Sequence, residues 1–370
     1  MSVKSFQDLI HDVHEKGICQ GCGGCVSFCS SASYNVIGFP EPYSPPVYIN
    51  KDQCLECGIC YYICPQTHVL DEELNKAFKF EGYDAMPMGF VRNIYSCQST
   101  DDEFLEHGTD GGVVNSIINY MLEKKICDGA IVSNTEKAFS RVAAFSKTKA
   151  DLLKASGIRL DSSPQLDEVQ KFSTYTHSIK EMNHYKFNKL AVVGTSCQID
   201  TIRCMQHLGI TPSENIEICL GLFCYENFIF DQAQITKFEE DFQLHFQDIV
   251  KLNIKEDLYI QLKDDGTGQN IVHIPFDKLH EYMRPACNAC RDFSNIYSDI
   301  SFGGLGSEDK FTTVITRTEK GQKILTAALK AGVIRAVNLD AEQKTKIKDI
   351  ITSFSRSKVT RMESFMNNQP

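Results

Sequence analysis

The sequence predicts an α/β protein in two parts: a small cysteine-rich module with its linker over residues 1–85, then a mixed α/β domain over residues 86–370. Three observations carry this. Eight of the chain's 16 cysteines fall in two short runs, the second repeating the first 35 residues on. From about residue 90, short apolar, β-branched runs alternate with stretches of helical spacing, the pattern of an α/β core. Residues 252–276 interrupt that alternation with a hairpin-like pattern.

The first run is Cys19, Cys22, Cys25 and Cys29; the second is Cys54, Cys57, Cys60 and Cys64. Each spells Cys-x2-Cys-x2-Cys-x3-Cys, the spacing of bacterial two-cluster ferredoxins, in which three cysteines hold one cubane and the fourth of the run ligates the other. On that pattern one 4Fe-4S cluster takes Cys19, Cys22, Cys25 and Cys64, and the second takes Cys54, Cys57, Cys60 and Cys29. Gly21, Gly23, Gly24 and Gly58 let the backbone wrap a cluster without Cβ clashes. The first run ends Cys29-Ser30 where such motifs usually carry proline. Zinc is the other use of Cys-x2-Cys pairs, but zinc ribbons take two pairs per metal, which triples with an isolated fourth cysteine fit poorly. Between the runs, Gly38-Phe-Pro-Glu-Pro-Tyr-Ser-Pro-Pro46 marks turns and Val47-Tyr-Ile49 a short strand. Residues 69–82 read as a linker or a joining helix.

In the larger part, Ala130–Ser133, Lys189–Val193 and Ile216–Leu220 are predicted strands. Val113–Lys124, Asp200–His207 and Phe228–Phe242 have helical spacing. Tyr259–Leu262 and Ile271–Ile274 flank a turn at Lys263-Asp-Asp-Gly266, and Phe311–Arg317 reads as a further strand. After Gly321 the pattern is an amphipathic, lysine-rich helix followed by a polar tail.

Cys287 and Cys290 form another Cys-x2-Cys pair. Cys197 and Cys224 follow predicted strands, where ligands gather in open α/β sheets. A third cubane on Cys197, Cys224, Cys287 and Cys290 is the preferred reading; spacing alone leaves open a zinc site or unrelated buried thiols. Cys97, Cys127, Cys204 and Cys219 read as small buried apolar residues. His107-Gly-Thr-Asp-Gly-Gly112 stands before the helical run at Val113, and such a turn lets backbone N–H groups approach an anion. It has neither the phosphate-loop spacing nor the dinucleotide fingerprint. The lone histidines His107, His184 and His273 have no partner spacing and read as structural or surface residues.

Lys+Arg 38 against Asp+Glu 48 leaves a net charge of −10, which argues against a nucleic-acid partner. No apolar run approaches the ~20 residues of a membrane span. The start, Met-Ser-Val-Lys-Ser-Phe-Gln-Asp, has no apolar signal region, so the expected location is the reducing cytoplasm, where cysteines serve metal more often than disulfides.

The motifs in order are a two-cluster ferredoxin module, Thr109-Asp-Gly-Gly-Val113, Gly194-Thr-Ser-Cys-Gln198, Gly221-Leu-Phe-Cys224, Arg284-Pro-Ala-Cys-Asn-Ala-Cys290, Ser298-Asp-Ile-Ser-Phe-Gly303 and Val314-Ile-Thr-Arg317. This series resembles the coenzyme F420 hydrogenase/dehydrogenase beta-subunit family from about residue 15 to 330. The resemblance implies a mixed α/β flavin-binding domain preceded by a bacterial-type two-cluster ferredoxin domain. It further implies FAD, coenzyme F420 as substrate, and the third 4Fe-4S cluster. On it, Thr109, Asp110, Gly111, Gly112 and Val113 cradle FAD at a helix start, and Thr195 and Gln198 border the flavin. Gly157-Ile-Arg-Leu160 stands where the family often has Gly-Ser-Lys-Tyr, so Arg159 replaces the lysine as a cationic anchor. Ser196 replaces a common proline. Because the tail of coenzyme F420 is anionic and the chain is acidic, Arg159, Arg203 and Arg284 are the expected local cations. Implied partners are subunits of hydrogenase, formate dehydrogenase, heterodisulfide reductase or F420H2 dehydrogenase type, or a ferredoxin, with any membrane association peripheral and through the partner complex. Two other activities share these motifs: a ferredoxin-dependent reductase of the same superfamily acting on another substrate, and a non-catalytic electron-transfer subunit.

Overall fold

The duplication in the sequence extends to the backbone. Helices Gly24–Ser31 and Ile59–Tyr62 each start from a left-handed glycine, Gly23 at φ 87° and Gly58 at φ 76°, a conformation that costs an L side chain about 1–2 kcal/mol. In the computed structural model, which describes residues 4–32, 34–134, 139, 141–158, 166, 189–264 and 270–368, the two helices flank a two-stranded ribbon. In it β1 (Ile37–Gly38) pairs antiparallel with β2 (Val47–Tyr48), across the proline-rich loop. Position 24 is glycine and its counterpart is Ile59 for a packing reason. A Cβ at residue 24 would stand 2.1 Å from Thr201 Cγ2, so only glycine allows the first copy to lie against the larger part.

The larger part is built on a mixed eight-stranded sheet. Its strands are β3 (Asn93–Ser99), β4 (Gly129–Asn134), β5 (Val142–Ser146), β6 (Leu190–Gly194), β7 (Ile216–Leu222), β11 (Ile300–Gly303), β12 (Thr312–Thr316) and β13 (Ile334–Ala336), in the order β13-β3-β12-β11-β7-β6-β4-β5. β4, β6, β7 and β11 run parallel to one another, so their carboxyl ends share one edge. Strands covered on both faces need apolar residues throughout. The run Leu-Ala-Val-Val-Gly of β6 is buried at every position for that reason.

Helices Val113–Glu123 and Glu319–Lys330 cover one face with Ile117, Ile118, Met121, Leu325 and Ala328. On the other, Ile199, Ile202 and Met205 of helix Ser196–Leu208 pack with Phe28, Ile63, Leu70, Leu74 and Phe80 of the N-terminal part. Helix Asp71–Ala77 occupies the expected joining segment. Cys97, Cys127, Cys204 and Cys219 are buried in these two cores.

The insert is a three-stranded antiparallel sheet, β8 (Ile249–Ile254), β9 (Leu258–Leu262) and β10 (Ile271–Ile274). Leu258, Ile260 and Ile274 face inward onto Phe139, Phe230, Phe238 and Tyr282. Two sequence expectations are corrected. The helix expected over Phe228–Phe242 is Gln232–Phe242, because Asp231 caps it by accepting from the Gln234 N–H, while Phe228 pairs across a bridge with Met283. The expected polar tail is instead edge strand β13 and a 27-residue helix, Ala341–Asn367. Gly332 at φ 73° ends the preceding turn, and an Asp340–Gln343 capping box starts the new helix. Among the described residues no helix is long and apolar enough to cross a membrane.

Candidate functional site

A cavity of about 310 Å³ opens at the carboxyl edge of the parallel strands, lined there by Ser133, Gly194, Leu222 and Gly303. Its volume is in the range of small-molecule sites. Thr109, Asp110, Gly112 and Val113 form one wall and Thr195 and Gln198 another, so six of the residues predicted to bind cofactor meet in it. Gly111 stands behind them, its N–H donating to Thr312 Oγ1 at 3.0 Å. A Cβ there would approach the Cys97 carbonyl to 2.6 Å, and one at Gly112, which begins the Val113 helix at φ 65°, would approach the Phe104 carbonyl to 2.5 Å. The glycines thus allow the turn to bring a helix N-terminus to the cavity, a place suited to anions. Thr195 N–H and Oγ1 both donate to Gln198 Oε1, at 2.9 and 3.1 Å, which fixes this pair at the start of the Ser196 helix.

Asp110 is the electrostatic exception in this wall. Burial pushes its carboxyl up to about 6, against the pull of Lys255 and Lys251, and Oδ1 has no hydrogen-bond partner. Among the described residues the cavity's cations are Arg141, whose Nη1 donates to Asn227 Oδ1 at 3.4 Å, and Lys255, bonded to Ser307 O at 3.2 Å and Asp309 at 3.0 Å. Neither belongs to a sequence motif. Arg159 lies outside the described residues. Arg203 and Arg284, expected as cations here, line other places. Arg203 is on the face of the Ser196 helix turned to the core: it pairs with Asp299 at 2.8 Å, donates to Tyr297 O at 2.8 Å and lies over the Phe78 ring. Burial would push the Asp299 carboxyl up, yet Arg203 and the Cys219 N–H hold it below its usual range.

Cys224 closes the inner wall of the cavity. Burial first, then the nearby Cys287, Cys197 and Cys290, push its thiol up to about 12, opposed by Lys358; the four cysteines of the expected third set therefore face one another. Their sulfurs meet donors: Asn227 N–H reaches Cys287 Sγ at 3.3 Å, Asn227 Nδ2 reaches Cys224 Sγ at 3.9 Å, and Thr195 Oγ1 lies 3.4 Å from Cys197 Sγ. Arg284 is buried on the far side, donating to Cys287 Sγ at 3.6 Å and to the Gln20 carbonyl. Its charge faces Cys287, Cys197 and Cys19, so this guanidinium stands between the third set and the N-terminal module. Although burial opposes it, Arg284 and the Asn227 N–H bring the Cys287 thiol below its usual value.

The N-terminal cysteines come together across the two runs. Cys25 is raised by burial and then by Cys22, Cys19, Cys60 and Cys64, and Cys64 by burial and then by Cys22 and Cys19. Cys29 is raised by burial and then by Cys54 and Cys57, while burial and Cys57, Cys54 and Cys29 push Cys60 up to about 12. The fourth cysteine of each run therefore faces the triple of the other. Val36 N–H reaches Cys29 Sγ at 3.4 Å. Cys57 is exposed, and a small cavity is lined by Cys29, Cys54, Cys57 and Cys60. Among the described residues no three His, Cys, Asp or Glu side chains close on a single ion.

Two further residues reach the third set from the last helix. Lys358 donates to the carbonyls of Cys224 and Asp292 at 2.6 and 2.8 Å, and Arg361 to that of Cys287 at 3.2 Å. The spacing Ile347, Ile351, Phe354, Lys358, Arg361, Phe365 is the sequence signal that marks this face.

Comparison with known proteins agrees with the fold. Residues 94–169 match the family model for the N-terminal part of the coenzyme F420 hydrogenase/dehydrogenase beta subunit, and residues 187–342 match the model for its C-terminal part. A coenzyme F420 hydrogenase subunit beta of Methanothermobacter thermautotrophicus is 30% identical over 67% of this chain and 85% of that protein. A coenzyme F420-dependent sulfite reductase of Methanocaldococcus jannaschii is 29% identical over 92% of this chain and 50% of that protein. A chain in the F420-reducing hydrogenase complex of Methanosarcina barkeri superposes with TM-score 0.65 at 26% identity, covering 75% of this chain and 92% of that one. The two matched segments together span more than half of the chain, which belongs to the coenzyme F420 hydrogenase/dehydrogenase beta-subunit family of F420-linked oxidoreductases.

Proposed function

We propose that this chain exchanges a hydride between coenzyme F420 and an FAD held in the cavity, and passes single electrons through three 4Fe-4S clusters to or from a partner. The observation that carries the reading is continuity: Cys224 walls the cavity, its set meets Cys19 across Arg284, and the two N-terminal sets lead on to exposed Cys57. The residues present fit these groups. Thiols gathered from separate segments, with N–H donors aimed at sulfur, suit iron–sulfur clusters. A glycine turn at a helix start, opening on a mainly apolar cavity, suits a dinucleotide's phosphates and ring.

FAD, when bound, supplies the conversion between two-electron hydride chemistry and one-electron transfer. The protein's residues bind, orient and shield. Thr109 to Val113 hold the anionic part at the Val113 helix, and Thr195 and Gln198 border the ring. Arg141 and Lys255 supply positive charge for an acidic coenzyme. Residues 1–85 act as the two-cluster ferredoxin module, with Cys19, Cys22, Cys25 and Cys64 on the inner cluster and Cys54, Cys57, Cys60 and Cys29 on the outer one. The partner is an electron-transfer subunit or a ferredoxin, docked near Cys57.

The test is an anaerobic mixture of the purified chain, coenzyme F420 in its reduced form and a one-electron dye. Loss of dye colour coupled to recovery of the oxidised deazaflavin absorbance is expected, with FAD released on acid extraction. A chain replete in FAD and iron that leaves the deazaflavin spectrum unchanged overturns the reading.

A further inference from the structure

Most of the last helix lies beyond the matched family segments, which end at residue 342, yet one of its faces touches every stage of the proposed path. Ile347 and Ile351 pack into a core with Met88, Phe293 and Ile315. Phe354 lines the cavity. Lys358 and Arg361 grip the loops that carry the third cysteine set, and Phe365 packs against the core of the N-terminal module. Steps of four and three residues along this row keep it on one helix face.

Lys358 is the unusual member. It is 1% exposed, and its two acceptors, the carbonyls of Cys224 and Asp292, are neutral. Burying an ammonium without a compensating negative charge is strongly unfavourable. Arg361 is paired with the Glu226 carboxylate at 2.6 Å and so is already balanced. Facing Lys358 are the sulfurs of Cys290, Cys224 and Cys287, which become negative on ligating a cluster, and the Glu226 carboxylate, whose charge Arg361 already takes up as the nearby like charge.

We propose that Lys358 is a built-in counter-charge of the third cysteine set, in addition to Arg284 at Cys287: its ammonium offsets part of the negative charge that four thiolates bring to a cluster, and it holds that cluster's reduction potential up. Net charge and hydrogen bonding around the sulfurs are the protein's main means of setting such potentials. Lys358 is a positioning residue, acting through charge and through the Cys224 and Asp292 carbonyls. The inference rests on the proposed ligation by Cys197, Cys224, Cys287 and Cys290.

The experiment is a potentiometric titration of the full chain, followed by electron paramagnetic resonance, on wild type, Lys358→Gln and Lys358→Arg. Iron is counted first. Lys358→Gln keeps a donor near the carbonyls but removes the charge. The expected result is wild-type iron content with the third cluster's reduction equilibrium at least tenfold less favourable, 59 mV for one electron. The two N-terminal clusters keep their potentials, and Lys358→Arg retains the wild-type value. An unchanged third potential in an iron-replete Lys358→Gln protein overturns the proposal. If Lys358→Gln loses iron or fails to fold, Lys358→Arg decides: a potential matching wild type supports the charge, and a tenfold fall with the charge kept overturns it. Wild-type iron sufficient for only two clusters removes the ligation reading itself and the proposal with it.

Discussion

The sulfur of Cys22 lies 3.4 Å from Thr201 Oγ1, joining the N-terminal module to the Ser196 helix across 179 residues of chain. The same threonine donates to the Cys197 carbonyl at 3.0 Å, so one side chain touches both cysteine sets. Its Cγ2 occupies the space that a Cβ on Gly24 would need. Gly24→Ala is therefore expected to push the two parts apart, at about 1–3 kcal/mol, and to slow dye reduction through the clusters more than reduction of the flavin. Thr201→Ser, which removes only Cγ2, restores both in the double variant. Stopped-flow absorbance of the two steps measures this.

Arg203, mostly buried, pairs with the buried Asp299 away from the residues that line the cavity. Arg203→Met leaves the carboxylate buried without its partner, a change worth about 3–5 kcal/mol. The expected outcome is a markedly lower thermal midpoint with an unchanged KM for coenzyme F420 in the fraction that remains folded. Arg141→Met has the opposite signature: near-native stability and a KM raised roughly tenfold, about 1.4 kcal/mol, with the difference shrinking at high salt.

Burial raises Asp110 to about 6 from an ordinary 3.8, so below pH 6 the folded chain takes up a proton that the unfolded chain takes up only near pH 4. The native state binds more protons in that window, and this group's contribution to stability therefore falls as pH rises through it. Above pH 6 the buried charge is a fixed cost, on the order of 1–3 kcal/mol. Asp110→Asn is expected to unfold at a higher temperature than wild type at pH 7.5. The gap narrows as pH falls from 6 to 5. Anaerobic thermal melts without added coenzyme check both the sign and the window.

Arg284 spans Gln20 O and Cys287 Sγ with two ends of one planar fork. Lysine retains the charge but cannot reach both. Arg284→Lys is expected to leave flavin reduction near wild type while slowing electron arrival at the N-terminal clusters by roughly tenfold, about 1.4 kcal/mol. Rapid-freeze electron paramagnetic resonance separates the cluster signals and measures that delay.

Much of the candidate site is legible in the sequence because its determinants are local. The spacing of Cys19, Cys22 and Cys25, the left-handed glycines at 23 and 58, and the strand-ending positions of Cys197 and Cys224 all depend on neighbours within a few residues. The alternation of apolar strands and amphipathic helices predicts the α/β class on the same footing.

Side-chain destination is not local. Arg203 and Arg141 read alike along the chain, yet the helix face turned to the core takes one to Asp299, and the strand edge takes the other to the cavity. Lys358 is 134 residues from the Cys224 carbonyl it holds. By itself, the sequence determined the duplication of the cysteine runs, the α/β alternation of the larger part, and the family. Only the tertiary structure decided which cations line the cavity, which stand beside sulfur, and that the last helix reaches both the cavity and the third cysteine set. The reason is physical: backbone geometry repeats over a few residues, whereas the surroundings of a buried charge are assembled from segments that meet only when the sheet and its helices pack.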